Sequence, residues 1–385
     1  MGFKFAYLCD LLSSIEDNRT IKASTAAKVV NPDLRVVGRW FDQHARQIHN
    51  ESTNRAALLS CLFPEKRTDR VYWLQEASLA RIVGRCLLLG SSRIEQLECW
   101  RASGGCDLGQ CVENVMRQTE NHVAKGQEVT VEEIDEALDL IASRCRYSSP
   151  EVRRNKHTAA EVHSCLTPIL RRLNSRDAKW LMRMILKDYS PVMLPTSLML
   201  QRLHFLLPPL LLFQNSFDGA LAILDSPPMR HFPPKPEPTL AKDLAAIAMQ
   251  YVTPRVGVKV GRPEYYKARS IKHCLQMVGH RRMSLERKYD GEYCQIHVDL
   301  EQSRSPIRIF SKSGKDSTAD RSGVREALAR SLGLGAPDCR ISRRCILEGE
   351  LVVWSDKHQK VLEFHKLRKF LPRSGTFIGT ENDSQ

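Results

Sequence analysis

Nowhere in this chain do roughly 18 apolar residues run uninterrupted, the length a membrane-spanning helix requires. The greasiest stretch, Leu203 to Phe213, is broken by Pro208 and Pro209, so it reads as a helix end, a turn and the start of a buried helix. The N-terminus has Gly2 but Ala6 where an acylation signal needs a hydroxyl, and no signal-peptide architecture follows. Cysteine is plentiful, but paired spacing is lacking. The closest two of the twelve, Cys106 and Cys111, have no second pair or histidine at zinc spacing. The expectation is reduced thiols in the cytosol or nucleus, with neither a zinc module nor a disulfide framework. Carboxylates are also short: 44 Asp and Glu face 58 Lys and Arg, leaving a net charge of +14. That excess attracts polyanions, nucleic acid first among them, although a solvated basic surface accounts for it as well.

What is present divides the chain. With 385 residues it exceeds one small core, and its pattern changes once, sharply. Residues 1–226 read as all-α. Leu79, Ile82, Val83, Cys86 and Leu87 fall on one helical stripe, and Thr130 with Glu133 makes a capping box before Ile134, Ala137, Leu138 and Ile141. Ser175 is placed to cap the next helix, where Trp180, Leu181, Met184 and Ile185 share a face. On another face Lys179, Arg183 and Lys187 recur every four residues, a ridge suited to phosphates or simply to solvent. Six prolines in Pro227–Pro238 predict a semi-rigid linker. Residues 239–385 then read as α+β with an antiparallel sheet, its strands over Tyr293–Val298, Ile307–Lys312 and Cys345–Trp354.

One short segment carries chemistry. In "LERKYDGE", an extended backbone would put Glu286, Lys288 and Asp290 on one face. Alone, such a ladder is ordinary surface. Downstream, however, stand "FSKSGKDST" (Phe310 to Thr318) and "EGE" (Glu348 to Glu350). The three together, in this order, resemble the nucleotidyltransferase motifs of ATP-dependent DNA ligases. "RDAKWLMRMILKD" (Arg176 to Asp188) resembles the last helix of that family's DNA-binding domain, most closely in the ligase IV type.

The resemblance implies a helical DNA-binding domain over 1–226 and a partial adenylation domain over 239–385. Its substrates would be ATP, with Mg²⁺, and nicked or broken duplex DNA, in nuclear strand-break repair by end joining. It makes Lys288 the lysine that attacks the α-phosphate in its neutral form and carries AMP. Glu286 would read the adenine amino group. Asp290 and Glu350 would hold Mg²⁺ or the ribose, with Gly291 and Tyr293 completing the nucleotide site. Lys312 would face the AMP phosphate, or stand as a solvated loop charge together with Lys315, while Glu348 reads as a supporting or surface residue rather than a ligand. Lys179, Arg183 and Lys187 would meet DNA phosphates.

Three features depart from the family pattern. Tyr293 stands where the family has a nucleotide-contacting arginine, and tyrosine brings no charge. Pro191 stands in a turn whose backbone amides otherwise meet DNA. The sequence ends at Gln385, ahead of the family's later lysines, its OB-fold domain and its BRCT domains. The expectation is therefore poor self-adenylation or none, no nick sealing and no scaffold partner bound through BRCT domains. A non-catalytic DNA-binding remnant is one alternative; a capping guanylyltransferase or RNA ligase is another. Because Glu286 suits an amino-bearing base, ATP should raise the melting temperature more than GTP does. Equal or greater protection by GTP would favour the capping-enzyme alternative.

Overall fold

The computed structural model describes residues 2–24, 31–102, 104–154, 161–262, 265–302 and 305–370, in two compact units, Met1–Thr253 and Pro254–Gln385. In the first unit, helix Glu76–Cys86 buries Leu79, Ala80, Val83 and Cys86, as its stripe predicts. Thr130 Oγ1 accepts from the Glu133 amide at 3.3 Å while Glu133 Oε2 accepts from the Thr130 amide at 3.0 Å, closing the capping box of helix Val131–Ser143. The cap of helix Ser175–Ile185 is Asn174, not Ser175: its side chain accepts from the Asp177 amide at 2.8 Å. Ser175 instead binds Glu120 through both its amide and its hydroxyl.

The Pro227–Pro238 run does not part the two units. Met229 is buried, the Phe205 amide donates to the Pro234 carbonyl at 3.0 Å, and helix Ala241–Met249 sets Ala248 into the helical core. Prolines lack a donor but keep an acceptor and an apolar ring, so the run serves as a strap over this unit. The division falls after Thr253.

Helix Ser175–Ile185 is the centre of the first unit. It packs against Phe5–Ser24 and Leu108–Arg117 and buries Trp180 completely. Here the phosphate-ridge expectation needs correcting, because all three cations turn inward. Lys179 Nζ lies 2.8 Å from Glu16 and 3.0 Å from Glu113, and Arg183 clasps Glu16 and Asp107 at 2.7 Å each. Both cations stand over the Trp180 ring, at 4.9 and 4.8 Å. Lys187 lies beyond the helix at φ 58°, and its Nζ donates to the carbonyls of Arg67 and Arg70. The periodicity was a ridge of interior ion pairs. Burial works against the Glu16 carboxylate, but hydrogen bonds from Lys179 and Arg183 prevail and hold it below its ordinary range.

The second unit is built on a three-stranded antiparallel sheet of β1 (Glu292–Asp299), β2 (Ile307–Phe310) and β3 (Arg344–Leu351), in the order β2-β1-β3. A small hairpin, β4 (Trp354–Ser355) with β5 (Lys360–Val361), follows. One face of the sheet carries Cys294, Ile296, Val298, Ile307 and Ile309, packed against Leu328 and Ala329 of helix Ser322–Ser331 and Leu332 just after it. Alternation then puts Tyr293, Gln295 and His297 on the opposite face.

The inward cations give a stability prediction. Arg183→Ala should lower unfolding free energy by about 2–3 kcal/mol, less than a fully buried pair because Asp107 is nearly half exposed. A urea titration checks it; unchanged stability with weakened DNA binding would restore the solvent-facing ridge.

Candidate active site

The site follows from the sheet's register. Tyr293 pairs with Glu350, Gln295 with both Glu348 and Phe310, and His297 with Ile346 and Arg308. Directly opposed residues of antiparallel strands share a face, so Glu348 and Glu350 stand beside Tyr293, away from the apolar core. Antiparallel order also brings the start of β1, the end of β2 and the end of β3 to one edge. Lys288 lies just before β1, Lys312 just after β2, and Glu350 near the end of β3. Three separate sequence segments thus converge at one end of the sheet.

Each segment has a local reason for its path. The paired strand begins only at Glu292, so the expected strand ladder of Glu286, Lys288 and Asp290 does not form. Those residues run through an exposed irregular segment. Gly291 ties that segment down. A Cβ there would lie 2.3 Å from the Leu351 carbonyl oxygen and 2.8 Å from Glu350 Cγ, so only glycine lets the chain pass under the end of β3.

After β2, Ser311 and Lys315 close a turn in which Gly314 takes φ 88° and Lys312 is exposed. Thr318 Oγ1 accepts from the Ile309 amide at 2.9 Å and donates to Asp316 at 2.6 Å, fixing the returning chain. Buried Arg321 donates to both Ser317 and Glu292, bracing this turn against the start of β1. Lys315 lies 3.8 Å from Asp320, a loose and partly exposed pair.

A fourth segment went unread in the sequence. Residues 257–262 lie along the polar face of β1. The Val260 amide donates to Gln295 Oε1 at 2.7 Å, and Gln295 Nε2 donates back to the Val260 carbonyl at 3.0 Å. The Gly257 amide donates to His297 Nδ1 at 3.0 Å, which leaves His297 Nε2–H to donate to Gln295 Oε1 at 2.9 Å. The available signal was two polar residues, Gln295 and His297, on one side of an otherwise apolar strand.

That docking changes the reading of Tyr293. The buried ring carries Arg262 at 4.9 Å and Lys259 at 5.5 Å, so the charge that tyrosine lacks is supplied by its neighbours. Glu348, expected as a supporting or surface residue, pairs with Arg262 at 3.5 Å and reaches the Tyr293 hydroxyl. Burial first, and Glu348 second, push that phenol up to about 12, so it remains a neutral donor. Among the described residues no group of three or more metal-ligating side chains gathers. Asp290 and Glu350 offer two carboxylates, a donor set that suits Mg²⁺ when substrate phosphates and water supply the remaining ligands.

Comparison with known proteins matches residues 4–199 to the family described as DNA ligase N terminus and residues 265–381 to the ATP dependent DNA ligase domain. A protein named DNA ligase 4 from Dictyostelium discoideum is 23% identical, over 94% of this chain and 32% of its own length. A putative DNA ligase 4 from Oryza sativa subsp. japonica is 25% identical, over 76% of this chain and 20% of its own length. The chain spans under a third of the length of these relatives.

Two outcomes are expected. Gly291→Ala should cost about 1–3 kcal/mol by overpacking and abolish ATP-dependent thermal stabilisation, because the Lys288 segment must lift off β3; retained stabilisation by ATP would contradict it. His297 is fully buried, and burial, with Arg308 and Lys259, pushes its imidazole down to about 4. Its folded value lies below its unfolded one, so the stability it protects is complete above about pH 6.5 and falls away toward pH 4. The loss is about 3 kcal/mol. Urea midpoints across that window should fall more steeply in the wild type than in His297→Gln; parallel slopes would contradict the assignment.

Proposed function

The chain belongs to the ATP-dependent DNA ligase family, and from that premise we propose that it takes part in joining breaks in duplex DNA by carrying AMP on Lys288. The observation that carries the reading is the convergence of Lys288, Lys312 and Glu350 at one sheet end. In the first step the neutral Lys288 amine attacks the α-phosphorus of ATP. A phosphorus–nitrogen bond forms, the bond to the β-phosphate's bridging oxygen breaks, pyrophosphate leaves with the electron pair, and the amine loses a proton. A 5′-phosphate oxygen of the nick then attacks the AMP phosphorus and releases the lysine. Finally the 3′-hydroxyl attacks that 5′-phosphate, and AMP departs.

In this proposal Glu286 selects adenine and Lys312 neutralises the transferring phosphate. Asp290 and Glu350 hold Mg²⁺, which when bound disperses charge on the phosphates. Nicked or broken DNA is the partner, supported by the net charge of +14 and by the helical family match. The ligase 4 relatives and the Arg176–Asp188 resemblance support a role in nuclear end-joining repair. Because Lys179, Arg183 and Lys187 are engaged internally, phosphate contact passes to other basic residues. The match over residues 4–199 leaves the capping-enzyme alternative without a basis.

Incubating the chain with ATP labelled at the α-phosphate, Mg²⁺ and pyrophosphatase should give slow label transfer. Peptide mapping should find the label on Lys288, and Lys288→Ala should lose it. Label on another residue, or none after prolonged incubation, would overturn the proposal.

A further inference from the structure

We propose that Lys259 and Arg262 bind the phosphate chain of the nucleotide, held in place for that purpose over Tyr293. The inference rests on the adenylation reading above and extends it to two residues outside all three motifs.

Placement is the first argument. Both cations stand over a ring whose cross-strand partner is Glu350, so they share the face and the end of the sheet where the motif segments meet. The second is preorganisation. The 257–262 backbone is pinned by Gln295 and His297, both essentially without solvent contact, so the cations are presented by a fixed template rather than by a floppy arm. A charge fixed before its ligand arrives avoids the ordering cost that a free side chain incurs.

The third argument is that the two cations have only a weak anionic partner of their own. Two cations crowd one ring, and the nearest carboxylate, Glu348, meets Arg262 at 3.5 Å with both side chains over 40% exposed, a pairing of little worth. Burial lowers the basicity of Lys259; Glu348 opposes that, and Arg262, through a weaker repulsion, adds to it. A phosphate oxygen would relieve that repulsion. The Arg262 guanidinium over the phenol ring has the planar fork that a bidentate phosphate contact uses.

The test uses the full chain and titration calorimetry with ATP and with adenosine. Arg262→Met and Lys259→Met keep the aliphatic stem over Tyr293 and remove the charge. Each should weaken ATP roughly tenfold, the scale of one lost charge-assisted hydrogen bond, and leave adenosine within about twofold of wild type. Nicked duplexes bearing a 5′-phosphate or a 5′-hydroxyl should be told apart equally well by wild type and Arg262→Met. ATP affinity unchanged in both variants overturns the inference, as does equal weakening of ATP and adenosine, which would mean the cations only support the fold. Lost discrimination between the two nicks with ATP binding intact would move the contact to DNA and also overturn it. A wild-type chain that binds no ATP would remove the adenylation reading itself, a failure distinct from wild-type binding with indifferent variants.

Discussion

Glu350 stands beside Tyr293 because β3 runs antiparallel to β1 with Glu292 opposite Leu351, and every feature of the proposed site hangs on that register. A slip of one residue would send Tyr293, Gln295 and His297 into the apolar core and expose Cys294, Ile296 and Val298. The apolar face packed on helix Ser322–Ser331 therefore dictates which carboxylates can face a ligand. Gly291 sets the same register from outside, since its missing side chain allows the Lys288 segment to pass under the end of β3. Arg321, bonded to Glu292 and Ser317, holds the Lys312 turn to that edge. Packing on one face and a glycine at the rim thus do the positioning for chemistry on the other.

The helical unit uses charge differently. Its central helix carries Lys179 and Arg183 into contact with Glu16, Glu113 and Asp107, while Lys187 caps the carbonyls of Arg67 and Arg70. The acids come from segments far away in the chain, so the pairs tie helix Ser175–Ile185 to helices Phe5–Ser24 and Leu108–Arg117. A cation so enclosed is a structural element, engaged by its own fold rather than offered to a polyanion.

That contrast explains what could be read from residues alone. Local patterns were legible: the Thr130–Glu133 box, the Leu79–Cys86 stripe and the three strands depend on neighbours within a few residues. The order of the motif segments was legible too, because their chemistry is written in residue type. The direction of the Lys179–Arg183–Lys187 face was not, since a period of four is identical for a solvated ridge and for an interior ion-pair seam. Nor were Lys259 and Arg262, whose role depends on a backbone segment docking on Gln295 and His297. The proline run misled for the same reason: composition forbids helix and strand there, but says nothing of what the rings pack on.

The central claim, that three segments meet as one nucleotide site at the edge of this sheet, is tested most directly by nuclear magnetic resonance of the chain labelled at glycine amides. On adding ATP with Mg²⁺, Gly291, Gly314 and Gly349 should shift together with a common saturation curve, while Gly38 and Gly109 of the helical unit stay still. Shifts confined to the helical unit, or separate saturation curves for the three sheet-edge glycines, would contradict the account.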